Sequence, residues 1–190
     1  WKEFSKALSD LQEWLKVAAE APAVPLQDEH LNTAGAVLVD ASLSYPGRPE
    51  PALRKLNLQL RAGELTVVVG ASGSGKSSLL RLLAGHAAAS EGRLAVGGHV
   101  IASDADRRWL AERSAYKPQD ALFLPGRLAD VVAAGRLDAT QDEVERALTR
   151  AGLGPALQRG MIGLNTRVGL NGQGLSGGQR QMVALARTFL

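Results

Sequence analysis

Gly70-Ala71-Ser72-Gly73-Ser74-Gly75-Lys76-Ser77 fills every fixed position of the pattern G-x-x-x-x-G-K-[ST]. Just before it runs the apolar stretch Leu65–Val69, with three valines, which predicts a strand buried on both faces. Just after it, Ser77–Gly85 carries Leu79, Leu80, Leu82 and Leu83, the content of a buried helix. A buried strand feeding a glycine-rich turn and then a helix is the setting this pattern requires. The residue types follow from phosphate chemistry. Glycines allow successive backbone N–H groups to turn inward as a nest. The helix start adds unsatisfied N–H donors and the positive end of its dipole. Lys76 supplies a mobile cation for the β- and γ-phosphates, and the Ser77 hydroxyl is suited to ligate Mg²⁺. An unliganded glycine turn is the competing interpretation, and it accounts for neither Lys76 nor the flanking elements. The loop does not identify a protein, since GTPases, small-molecule kinases, helicases and transporters share it.

Outward from the loop, Ala36–Tyr45 and Leu53–Leu60 alternate apolar and polar residues, predicting an antiparallel, half-buried sheet. Leu94–Ile101 around Gly97-Gly98 has the pattern of a hairpin. From about Asp104 to Arg159 the pattern is mainly helical, most clearly at Asp142–Ala151, with acidic residues first and Arg146 and Arg150 later. At the other end, Phe4, Leu8, Leu11 and Leu15 recur at helical spacing with charges between them, predicting an amphipathic helix from Trp1 to about Glu20. Ala21–Pro25 ends it as a linker. That helix either packs on the following domain or is the cytoplasmic end of a membrane helix.

The 190 residues suffice for one domain, or one split into two lobes. Lysines and arginines number 22 against 19 acidic residues, an excess of +3 spread along the chain, which argues against a nucleic-acid partner. With no cysteine, disulfides and thiolate metal sites are excluded. No stretch approaches the roughly 20 apolar residues of a membrane span. The first residue is Trp1 rather than Met, which suggests part of something longer.

A second motif, Leu175-Ser176-Gly177-Gly178-Gln179-Arg180-Gln181, precedes the apolar helix Met182–Leu190. Alone, Ser176 would be an ordinary helix N-cap. Paired with the glycine loop, the motif resembles the signature of the ABC ATPase superfamily, over a region from about Ala36 to the end. Tyr45 stands where that family has an aromatic residue stacking on adenine. Tyr116-Lys117-Pro118-Gln119 looks like its Q-loop. Leu122–Leu128 and Thr166–Gly172 are similar to the exporter segments after the Q-loop and before the signature. Two positions depart: Leu170 stands where the family usually has Glu, and Lys117 where it commonly has an apolar residue.

The resemblance implies an α/β fold, a P-loop NTPase core of ABC ATPase type with an antiparallel β subdomain and a helical subdomain from about 104 to 172. Residues 1–25 would be the helix and linker, and 26–190 the ATPase domain, incomplete at its C-terminus. The implied ligands are ATP and Mg²⁺. Tyr45, Gly70, Ser72, Gly73, Ser74, Gly75, Lys76, Ser77, Ser78, Ser176, Gly177, Gly178 and Gln179 would bind nucleotide. Lys76 and Gln119 would act in catalysis, with Ser77 and Gln119 on the metal. The implied partners are a second ABC ATPase domain packed head-to-tail and a fused transmembrane domain. This would place the protein at the cytoplasmic face of a membrane, as an exporter ATPase. The alternatives are a non-transport ABC ATPase or a catalytically degenerate regulatory subunit. The family's Mg²⁺-binding Asp, water-polarising Glu and switch His would lie after Leu190, leaving residues 1–190 inactive alone. His30, His86 and His99 precede the signature and are surface or loop histidines on this interpretation.

Overall fold

The computed structural model describes residues 35–190. The expected helix at Trp1–Glu20 and its linker lie outside the described residues. The chain divides into two compact units, one ending at Ser114 and the other running from Ala115 to Leu190.

In the first unit, the alternating stretches become strands β1 (Gly35–Leu43) and β2 (Leu53–Arg61). They pair antiparallel, with Leu38 opposite Leu58 and Leu43 opposite Leu53. The register shifts after Leu38, where Asp40 (φ +46°) exchanges two hydrogen bonds with the Asn57 side chain, each 2.9 Å. The apolar-in, polar-out alternation buries Leu38, Ala41 and Leu43 on one face. β3 (Glu91–Val96) and β4 (His99–Val100) form the hairpin, turning at Gly97 and Gly98 with φ of +57° and +81°. Both residues at positive φ suit a tight two-residue turn that matches strand twist. The sheet order is β2-β1-β3-β4.

Helix α1 (Lys76–Leu83) lays Leu79 and Leu82 on this sheet, against Leu38, Leu43, Leu53 and Leu94. Helix α2 (Asp104–Arg113) adds Leu110 to the same core. Its Ser103 cap and Asp106 close a reciprocal capping box. Asp106 also meets His99 Nε2 at 2.9 Å, while the His99 ring stacks on Trp109 with centroids 4.4 Å apart.

The run Leu65–Val69 departs from expectation. It joins no ladder, and Leu65 and Val67 are 89% and 60% exposed. The composition of a doubly buried strand is present, but among the described residues no strand pairs with it.

The second unit is mainly helical. A short ladder, β5 (Gly126–Arg127) with β6 (Arg167–Val168), leads into α3 (Leu128–Val132). It continues through α4 (Gln141–Leu148) and α5 (Gly154–Gln158) to α6 (Gly177–Ala186). Their apolar faces share one core of Phe123, Leu128, Val132, Leu148, Leu153 and Val183. Among the described residues, no helix is long and apolar enough to cross a membrane.

Candidate nucleotide site

The glycine loop is shaped by its own backbone. Gly75 caps α1 in the left-handed region, φ +90° and ψ +2°, and a Cβ there would come within 2.5 Å of the Ala52 carbonyl oxygen. Only glycine satisfies both the dihedral and the close approach. No side chain caps α1, and its first backbone bond is the Leu79 N–H to the Gly75 carbonyl at 2.9 Å. The N–H groups of Lys76, Ser77 and Ser78 therefore precede the helical ladder, as an anion-binding helix start requires. At Gly70 a Cβ would lie 2.7 Å from Ser74 Oγ, a side chain that can turn away.

Lys76 folds back over this loop. Its ammonium donates to the carbonyl oxygens of Gly70 at 2.8 Å and Ala71 at 2.7 Å. Two of its three N–H donors are thus engaged by the loop's own carbonyl groups. Ser72, Gly73, Ser74 and Ser77 are exposed around it. Tyr45, just after β1, is half-buried against the sheet core, and its hydroxyl points at Ser78 Oγ, 3.4 Å away. The Ser78 hydroxyl holds the phenol below its ordinary pKa, with Arg81 adding to the effect and burial opposing it. Tyr45 and the first turn of α1 are thereby brought together across 33 positions of sequence. This contact was not visible in the sequence.

The remaining expected residues belong to the second unit. Gln119 is exposed at a bend following Lys117-Pro118. Ser176 caps α6 in a capping box: its Oγ accepts from the Gln179 N–H at 3.2 Å, and Gln179 Oε1 accepts from the Ser176 N–H at 2.8 Å. The ordinary N-cap interpretation is therefore realised. It still leaves the Ser176 O–H as a donor, beside the N–H groups of Gly177 and Gly178 that precede the ladder. Both glycines are exposed, and a Cβ at Gly178 would meet nothing within 4 Å. The end of α6 is thus a second open, positively polarised helix start.

Leu170 is 54% exposed beside Asn171, whose N–H donates to the Phe123 carbonyl at 3.1 Å. His99 is engaged with Asp106 and Trp109, and His86 lies in the turn after α1. His30 lies outside the described residues. Among the described residues, no group of three His, Asp or Glu is placed to hold a metal.

Known proteins resemble this chain over most of its length. The family model described as ABC transporter matches residues 53–190. The ATP-dependent lipid A-core flippase of Thiobacillus denitrificans is 38% identical over 152 residues, covering 80% of this chain and 26% of the flippase. The ABC transporter ATP-binding protein RamB of Streptomyces coelicolor is 40% identical over 175 residues, covering 90% of this chain and 26% of RamB. The solved structure of a bacterial Atm1-family ABC exporter with ATP bound superposes with a TM-score of 0.74 at 29% identity, covering 97% of this chain and 33% of the exporter. The chain thus spans about a quarter of the length of these curated relatives. Its fold is the P-loop NTPase fold of ABC ATPase type, with an antiparallel β part and a helical part. On the loop, the signature and the family match together, the chain belongs to the ABC transporter family.

Proposed function

We propose that this chain is the ATP-binding and ATP-hydrolysing domain of an ABC exporter. The observation that carries the proposal is the Gly70–Ser77 loop, with its uncapped helix start and the Lys76 ammonium held across its mouth. In this proposal Gly70, Ser72, Gly73, Ser74, Gly75, Lys76, Ser77 and Ser78 hold the phosphates. Tyr45 packs on the base, and Ser176, Gly177, Gly178 and Gln179 meet the γ-phosphate of ATP held by a partner domain. Lys76 exchanges its carbonyl partners for phosphate oxygens and offsets the charge that builds on them. Ser77 would hold Mg²⁺ through its hydroxyl oxygen, and the ion would supply charge neutralisation. Gln119 orients the attacking water.

The partners proposed are a second ABC ATPase domain, related head-to-tail, and a transmembrane domain, which would place this domain at the cytoplasmic face of a membrane. The relatives named as a flippase and an exporter support the exporter assignment. We propose in addition that residues 1–190 bind nucleotide but do not turn it over alone. In this proposal a facing domain's signature completes the site at the γ-phosphate, so turnover needs that partner.

The function is tested by ATP hydrolysis in the full-length protein reconstituted in lipid vesicles. Mg²⁺-dependent hydrolysis that falls to background in Lys76→Ala is expected. Equal hydrolysis by wild type and Lys76→Ala would remove the loop from the chemistry.

A further inference from the structure

Strands β1 and β2 each change faces once, at two bulges that compensate one another. Leu38 lies opposite Leu58, Ala41 opposite Leu56 and Leu43 opposite Leu53. A step of three residues on β1 thus meets two on β2, and a step of two then meets three. Side chains alternate along a strand, so one extra residue reverses the face that every later side chain takes. Before the bulge, Leu38 lies on the face covered by α1, while Val37 and Val39 lie on the other. Beyond it, Ala41, Leu43 and Tyr45 are all on the α1 face. Strict alternation from Leu38 would have sent Leu43 and Tyr45 to the opposite face, away from α1 and the glycine loop.

Side chains hold both bulges. At the first, Asp40 is in the left-handed region (φ +46°), which Asp tolerates better than most residues. Its N–H donates to Asn57 Oδ1, and its Oδ1 accepts from Asn57 Nδ2, each at 2.9 Å. The register of β1 with β3 shifts at the same place, between Val39 and Ser42. There Gly92 (φ +75°) makes room, since a Cβ on it would collide with the Asp40 carbonyl. At the second, Lys55 is also left-handed (φ +44°), and its N–H donates to the Oγ of buried Ser42 at 3.1 Å. Non-glycine residues persist in this region only where their surroundings over-determine them.

We infer that Asp40 and Asn57 are positioning residues, whose pair fixes the β1 bulge and so turns the Tyr45 ring to the nucleotide's side of the sheet. The inference rests on the proposed function, in which Tyr45 packs on the base. Asp40 and Asn57 act only through that ring. They set the affinity for the base and leave the grip on the phosphates to Gly70–Ser78.

The test is isothermal titration of Mg·ATP, and of Mg·tripolyphosphate, which has no base, into the full-length protein. The variants are Tyr45→Ala, Asp40→Val, Asn57→Leu, Asp40→Asn and the double variant Tyr45→Ala with Asn57→Leu. Asp40→Val and Asn57→Leu are each expected to weaken ATP at least about fivefold, the lower end of what a stacked ring contributes. Tripolyphosphate should bind them as it binds wild type. The double variant should bind ATP no more weakly than Tyr45→Ala, because both changes remove one contact. Asp40→Asn keeps the left-handed tolerance and both hydrogen bonds, and is expected to match wild type. Wild-type ATP affinity in Asp40→Val and Asn57→Leu, an equal loss for tripolyphosphate, or losses that multiply in the double variant would overturn the inference. If Asp40→Val does not fold, Asn57→Leu at its exposed position still decides, and an Asp40→Asn protein that loses ATP affinity contradicts the pairing. Were Tyr45→Ala to bind ATP as wild type, the base contact in the proposed function would fall and the inference with it. A weakened Tyr45→Ala beside unaffected Asp40→Val and Asn57→Leu sinks only the positioning.

Discussion

At the scale of single residues, the site combines local roles with proposed ones, and substitutions can separate them. Ser176 caps α6 through the Gln179 N–H and is also proposed to face a partner's γ-phosphate. Asp is as good an N-cap as Ser, so Ser176→Asp should leave thermal unfolding nearly unchanged. Its carboxylate would sit where phosphate must approach, and ATP-driven dimerisation, followed by light scattering, should be lost. A Ser176→Asp protein that still dimerises would show that the signature does not face nucleotide. Tyr45 poses a similar choice between ring and hydroxyl. Its 3.4 Å separation from Ser78 Oγ is long for a bond between hydroxyls, so Tyr45→Phe should bind ATP as well as wild type. Tyr45→Ala should lose about 1–3 kcal/mol of binding, the usual worth of an aromatic stacked on a base. Calorimetry checks both, and a Phe variant as weak as Ala would shift the role to the hydroxyl.

At the scale of elements, what was legible in the sequence was whatever the chain decides locally. The alternation of Leu53–Leu60, the Gly97-Gly98 turn and the glycine loop each encode their own backbone, and each forms where expected. Leu65–Val69 was misread because burial is settled by neighbours rather than by composition. Lys117 stood out only as a polar residue in an apolar position. Its ammonium donates to Gln181 on α6, a partner set by packing, which no local pattern records. Helix α4 was read correctly from its acidic first turn, and the structure adds the reason for its electrostatics. Glu143 accepts from the Thr140 N–H and from Arg136, the backbone bond first, which hold its pKa at about 2. A carboxylate depressed in the folded state contributes stability above its unfolded pKa and loses it as pH falls toward the folded one. Glu143→Gln should therefore destabilise the protein at pH 7, and the difference from wild type should shrink between about pH 4.5 and about pH 2. Urea unfolding at the two ends of that range measures it; a difference independent of pH would remove the charge from the explanation.

At the scale of the whole molecule, two units divide the proposed labour. The first carries a loop that presents backbone N–H groups and one cation. The second carries Gln119 and an open helix start. The central claim is that Mg·ATP binds at Gly70–Ser77 through Lys76. Isothermal titration of Mg·ATP into wild type and Lys76→Ala tests it most directly. The account predicts that removing the cation weakens binding by about 2–4 kcal/mol, the cost expected for losing a desolvated, charge-assisted contact. Equal affinities in the two proteins would contradict it.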